Sequence, residues 1–242
     1  MAQNLYDDPE FFAGYSQLRR SAQGLAGAPE WPAVRALLPD LTGKQVVDLG
    51  CGFGWFCRWA RENGAAKIVG YDLSEKMLER ARHDTEDEGI EYVKADLELL
   101  ELSDQTFDFA YSSLALHYVA GFARLVKMVH QCLVPGARFV FTIEHPMYTA
   151  PVRPKWVRDA DGRKSWPINQ YAIEGTRVTN WFTEGVVKQH RMLGTTLNSL
   201  IDAGFTVRHV REWSPTTDQL VEDPSLAAEM ARPGFVIIAA ER

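Results

Sequence analysis

The sharpest chemistry in the chain is written at Val46-Val47-Asp48-Leu49-Gly50-Cys51-Gly52-Phe53-Gly54. Glycines at the end of a short apolar run allow a tight turn and let a ligand lie against bare backbone. A helix opening just after them would offer free N–H groups to that ligand. Such a turn suits a nucleotide or nucleoside, held outside the carboxyl ends of parallel strands. Acids close the next two apolar runs: Asp72 after Lys67-Ile68-Val69-Gly70-Tyr71, and Asp96 after Glu91-Tyr92-Val93-Lys94-Ala95. A carboxylate at the first position can accept from both hydroxyls of a ribose. One at the second is well placed to accept from an adenine amino group. The dinucleotide fingerprint G-x-G-x-x-G would put its third glycine at position 55, where this chain has Trp55. NAD is therefore disfavoured.

Three histidines follow in positions that invite proton chemistry. His117 comes just past the apolar run Phe107–Ser112, and a ring with its titration near working pH suits a general base. His145, before Pro146, is the second candidate. His190-Arg191 is suited to an anionic group on a substrate.

Elements able to position these residues are legible. Strands are expected at 45–49, 67–72, 91–95, 107–112 and 137–144, with helices between them over 53–63, 74–88 and 122–133. Ser74 reads as an N-cap, with Glu75 favouring the helix dipole. Strands spaced by helices of this length mean βαβ units, a mainly parallel sheet and an α/β doubly wound, Rossmann-like fold. After 146 the rhythm breaks. Residues 146–188 carry four prolines and six aromatics, Tyr148 and Trp181 among them, with seven cations against four carboxylates. That net +3 leaves −9 for the rest, and a basic, aromatic insert on an acidic body suggests a cap over a pocket. A helix ending at Gly204 and strands at 205–213 and 235–241 complete the pattern. Before the sheet, Phe11, Phe12, Tyr15 and Leu18 mark a helix, and 33–38 a short one.

Composition bounds the reading. The chain has 242 residues, 46% hydrophobic and 24% charged, with a net charge of −6. At about 150 residues per domain this is one enlarged domain or two small ones. The charge argues against a nucleic-acid partner. No apolar run is long enough to span a membrane, and the first residues lack the pattern of a secretory signal. Cys51, Cys57 and Cys132 are odd in number and form neither a disulfide framework nor a zinc site, so no metal is expected and the cytoplasm is the expected compartment. Nothing in the sequence fixes an oligomeric state.

The whole constellation resembles the class I S-adenosylmethionine-dependent methyltransferases, of the type 11 small-molecule group. Asp48 to Gly54 is similar to that family's first motif, Asp72-Leu73-Ser74 with Met77 to its ribose-binding turn, Asp96-Leu97 to its adenine-binding turn, and Phe107 through His117 to its fourth motif. The resemblance covers residues 44–145 strongly and the last strand pair more loosely. It implies a seven-stranded sheet with the last strand antiparallel, and S-adenosyl-L-methionine as cofactor, released as S-adenosyl-L-homocysteine. It further implies that Asp48 and the loop of Gly50, Gly52 and Gly54 hold the methionine moiety, and that Asp72 binds the ribose. Leu73, Met77 and Leu97 sandwich the adenine, Asp96 lies near its amino group, and Ser112 and Leu114 border the sulfur. By extension from similar enzymes, Tyr15 and Arg20 fold over the cofactor's carboxylate. Relatives that methylate amino groups often carry Asn/Asp-Pro-Pro-aromatic after the fourth strand, and this chain has Ser112-Ser113-Leu114-Ala115. Exocyclic base amines and glutamine side chains are thereby disfavoured.

The expectation is a single domain over 1–242: an N-terminal helical segment (1–43), a cofactor-binding core (44–145), the cap (146–188), and a C-terminal helix and strand pair (189–242). The function expected is methyl transfer to a small-molecule, anionic acceptor, with Tyr148, Trp181, His190 and Arg191 as substrate-binding candidates. Two alternatives stay open: a tRNA-modifying enzyme of the same fold, and a non-catalytic binder of the cofactor or its product.

Overall fold

The computed structural model describes residues 3–242. Helix α1 (Pro9–Ser16) starts at Asp8, whose carboxylate accepts from the N–H groups of Glu10 and Phe11. Strand β1 (Gln45–Leu49) leads through the glycine turn into α2 (Trp55–Glu62), followed by β2 (Lys67–Asp72), α3 (Glu75–His83), β3 (Ile90–Lys94), β4 (Phe107–Ser113), α4 (Phe122–Cys132) and β5 (Leu133–Glu144). Ser74 caps α3 by accepting from the Met77 N–H. That helix ends at His83, five residues short of the expected stop at 88. The short helix expected at 33–38 lies at Trp31–Arg35.

Past β5 the chain leaves the sheet. A two-residue ladder pairs Val157–Arg158 with Lys164–Ser165. An antiparallel hairpin then forms from β6 (Gly175–Trp181) and β7 (Thr183–His190). Nothing in the sequence pattern predicts this hairpin, and it runs two residues beyond the expected cap boundary at 188. Helix α5 (Leu193–Asp202), β8 (Thr206–Glu212) and β9 (Phe235–Glu241) return to the sheet.

The sheet has seven strands in the order β8-β9-β5-β4-β1-β2-β3. β9 runs antiparallel to both its neighbours, and the β5-β4-β1-β2-β3 pairings are parallel. This is the Rossmann-like arrangement with a reversed last strand. Alternation along β1 feeds two cores: Val47 and Leu49 pack with Leu125, Val129 and Phe141 on one face, and Val46 with Phe56, Ile68 and Leu78 on the other. Helices thus cover both faces, and loops at the carboxyl ends of the strands are left to build a site. Among the described residues no helix is long and apolar enough to cross a membrane.

Candidate active site

Gly50, Gly52 and Gly54 all have positive φ, at 83°, 52° and 71°. A Cβ on Gly50 would fall 2.3 Å from that of Ala115, and one on Gly54 would fall 2.1 Å from the Tyr92 hydroxyl. Gly52 has open space on that side. Its N–H donates to Asp72 Oδ2 at 2.8 Å, while the Ser74 N–H donates to Oδ1 at 2.9 Å. Turn and acid are therefore one unit. Burial raises the Asp72 carboxyl above its ordinary range, against the backbone N–H bonds that favour its charge.

Two adjoining cavities open at these strand ends, of about 110 and 480 Å³. The smaller runs from Asp72 past Leu73, Met77 and Leu97 to Asp96. Gln3 to Tyr6 form its outer wall. That strap is fastened by Asp7, whose Oδ1 accepts from Ser74 Oγ at 2.6 Å and the Lys76 N–H at 3.1 Å. Gln3 extends it to the hairpin, donating to the Gly185 carbonyl and accepting from the Val187 N–H.

The larger cavity is walled from the sheet by Asp48, His117 and Glu144, from the insert by Tyr148, Arg177, Trp181 and Lys188, and from the N-terminal segment by Tyr15 and Arg20. Gly50, Gly52, Leu114 and Tyr15 line both cavities, as do Tyr6, Ser113 and Tyr118. Burial pushes the Asp48 carboxyl up to about 7, against a hydrogen bond from Cys57 Sγ at 3.4 Å. Burial also holds His117 neutral, well below its ordinary value, with Lys188 and Arg191 adding repulsion. The Glu144 N–H points at His117 Nδ1 at 3.4 Å, which leaves the ring proton on Nε2.

Most of the residues singled out from the sequence meet at these two cavities, and five do not. Gly54 lines neither and acts as the left-handed cap of α2. Ser112 is buried and donates to the Leu49 carbonyl at 2.6 Å; Ser113 takes the cavity wall instead. His145 caps a short turn of helix through Nδ1 and pairs with Glu212 through Nε2 at 2.7 Å. His190 is locked between Thr149 Oγ1 and the Tyr171 carbonyl. Arg191 stacks on Phe122 and donates to the carbonyls of Leu116 and Val119, which pins the loop bearing His117. His145, His190 and Arg191 line neither of these two cavities. The residues missed from the sequence are Tyr6, Ser113, Tyr118, Glu144, Lys188 and Arg232.

The insert's charge also lies elsewhere than expected. Arg153, Lys155, Arg158, Arg163 and Lys164 are all exposed on its outer side. Cations facing the larger cavity carry partners: Arg20 with Glu30, Lys188 with Glu144, Arg232 with Glu229, and Arg177 with four backbone carbonyls. The net +3 thus gives no reason to prefer an anion inside.

The donor set fits a nucleoside with an amino-acid arm. It offers a carboxylate at one end, apolar faces for a planar base, a second acid beyond them, and a glycine whose open face meets the larger cavity. A family model described as a methyltransferase domain matches residues 47–141. A crystal structure of an S-adenosylmethionine dependent methyltransferase from Mesorhizobium loti is 57% identical, with a TM-score of 0.88, and the match covers 90% of this chain and all of that one. An uncharacterized protein of Haemophilus influenzae is 36% identical over 217 residues, 86% of this chain and 85% of its own length. A malonyl-[acyl-carrier protein] O-methyltransferase of Pseudescherichia vulneris is 32% identical over 131 residues, so that the chain spans about half of its length. With the turn, the acids and the sheet order all in agreement, the chain belongs to the S-adenosylmethionine-dependent methyltransferases, and S-adenosylmethionine is its cofactor.

Proposed function

We propose that this enzyme transfers the methyl group to a small molecule seated in the larger cavity. The observation that carries this reading is the shared wall. Gly50, Gly52, Ser113, Leu114 and Tyr118 border both cavities, so a cofactor in one presents its reactive end to the other. In this assignment Asp72 binds the ribose hydroxyls and Leu73, Met77 and Leu97 enclose the adenine. Asp96 lies beside the adenine's amino group, and the turn with Asp48 and Tyr15 takes the methionine arm. When bound, S-adenosylmethionine supplies a methyl group already activated on a sulfonium sulfur. The protein is left to orient the acceptor and exclude water, and good orientation supplies about 7–11 kcal/mol.

The aromatic rings of α1 and the hairpin do the excluding. Tyr15 packs edge-on against Trp181, and Phe11 against both Trp181 and Phe182. His117 lies on the cavity wall as a neutral imidazole whose Nδ1 faces the Glu144 N–H, which leaves its Nε2–H to donate to the acceptor. The O-methyltransferase name of the Pseudescherichia relative supports oxygen as the atom methylated.

The test is incubation with methyl-labelled S-adenosylmethionine and a metabolite extract, followed by mass spectrometry. The expected result is a labelled small product formed together with S-adenosylhomocysteine. No acceptor-dependent turnover with any extract would leave a cofactor-binding protein rather than an enzyme.

A further inference from the structure

Glu144 ends β5 and Lys188 points inward from β7, and the two meet inside the larger cavity. Lys188 Nζ donates to Glu144 Oε1 at 2.5 Å, with side chains only 6% and 14% exposed. The ammonium also lies 5.1 Å from the ring centre of Trp181, 5.8 Å from Tyr148 and 5.9 Å from Tyr118. All of these residues line the larger cavity, and Tyr118 continues into the smaller one. The second carboxylate oxygen, Glu144 Oε2, is buried and has no hydrogen-bond partner among the described residues.

A buried carboxylate oxygen left without a donor is costly, and its presence calls for a group arriving from outside. Lys188 has three N–H donors, of which Glu144 Oε1 accepts one. An acceptor molecule entering here therefore meets an open hydrogen-bond acceptor beside an ammonium. A cationic head would face Lys188, which already holds the place over the rings. An anionic head would face the free oxygen of Glu144. Either charge brings a like-charge contact in a desolvated site, which is how a pocket rejects a wrong partner. A neutral hydroxyl or carboxamide avoids both: it donates to Glu144 Oε2 and accepts from Lys188. The three rings suit a planar body behind that head.

We propose that the Glu144–Lys188 pair selects an uncharged, planar acceptor carrying a hydroxyl or carboxamide. This rests on the larger cavity being the acceptor site. The pair positions the molecule, and His117 beside it stays uncharged.

The experiment uses four probes with one ring: phenol, benzamide, benzoate and benzylammonium. Each is titrated by ligand-observed NMR into the full chain saturated with S-adenosylhomocysteine. Phenol or benzamide should bind saturably and at least about tenfold more tightly than either charged probe. In the Glu144→Gln/Lys188→Met double variant, which removes both charges, that preference should shrink to within about threefold. A charged probe binding as well as the neutral ones, or no saturable binding by either neutral probe, overturns the inference. Failure of S-adenosylhomocysteine itself to bind would instead overturn the assignment of the cavities. The wild-type ranking decides the question even where the double variant does not fold.

Discussion

In the proposed assignment Asp72 has two jobs at once, since its carboxylate already accepts from Gly52 and Ser74 and would also hold the ribose. Asp72→Ala loosens the turn and removes the ribose contact together. Two charge-assisted hydrogen bonds are worth about 3 kcal/mol or more, so S-adenosylhomocysteine affinity should drop at least about a hundredfold. Calorimetry on a variant shown by circular dichroism to be folded checks this, and unchanged affinity would remove Asp72 from the site. Asp48 makes a different prediction. Burial raises its carboxyl from 3.8 to about 7 in the folded protein. A raised carboxyl favours folding while protonated, so its contribution is full below about pH 3.8 and is lost as pH rises through about 7. Relative to Asp48→Asn, the wild type should lose about 4 kcal/mol of stability between pH 4 and pH 8, since each tenfold change in proton affinity is worth about 1.4 kcal/mol. Urea unfolding of both proteins at the two pH values measures it, and a pH-independent difference would mean a solvated carboxylate. These acids were legible from their places, Asp72 closing β2 and Asp48 lying in β1 two residues before the glycine turn. Ser112 and Ser113 were not separable, since both sit at the end of β4 and only the register with Leu49 turns Ser112 toward the carbonyl and Ser113 to the cavity.

The elements of the sheet announced themselves through periodicity, and the hairpin over the cavity did not. A two-strand hairpin usually shows Asn-Gly or a similar pair at its turn. Here Phe182 takes the left-handed conformation, at φ 57°, between paired Trp181 and Thr183. Tertiary contact explains that choice: the Phe182 ring lies where a side chain on Gly14 of α1 would be. A Cβ there would fall 2.6 Å from Phe182 Cδ1. Lys188 and Arg177 count in the sequence only as two of the insert's seven cations, and only the fold shows them turned inward. Gly14→Ala tests the joint between α1 and the hairpin. Alanine is intrinsically better in a helix by about 1 kcal/mol, so a contact-free site would gain stability. A crowded one should lose about 1–3 kcal/mol as the ring shifts. We expect the loss, read by thermal unfolding, with a red shift of tryptophan emission as Trp181 meets water. A stabilised variant with unchanged emission would show that the hairpin tip is not seated on α1.

Taken as a whole, the molecule is a sheet with a cap tied to it from several sides, and the ties differ in strength. The strap at Gln3 and the rings of α1 hold one side. On the other, Arg232, 7% exposed, reaches from the segment before β9 onto the insert. Its guanidinium lies 4.5 Å from the ring centres of both Tyr148 and Trp166 and pairs with Glu229 at 2.6 Å. Planar stacking and charge act together there, and lysine can supply only the charge. Arg232→Ala strands Glu229, whose Oε2 is already buried without a hydrogen-bond partner among the described residues. Removing one member of a buried pair costs about 3–5 kcal/mol. Where that cost falls depends on which part opens first. The cap rests on its aromatic contacts and this latch, whereas β1, β4 and β5 lie in the middle of the sheet with strands on both sides. Stability in such a structure is lost locally, from the least supported unit. Hydrogen exchange should therefore quicken across residues 146–190 in Arg232→Ala while the amides of β1, β4 and β5 keep their protection. Arg232→Lys should fall between the two, because it keeps the pairing with Glu229 and gives up the stack. Equal acceleration in cap and sheet would mean that the cap does not open by itself, and the acceptor would then have to enter by the strap side.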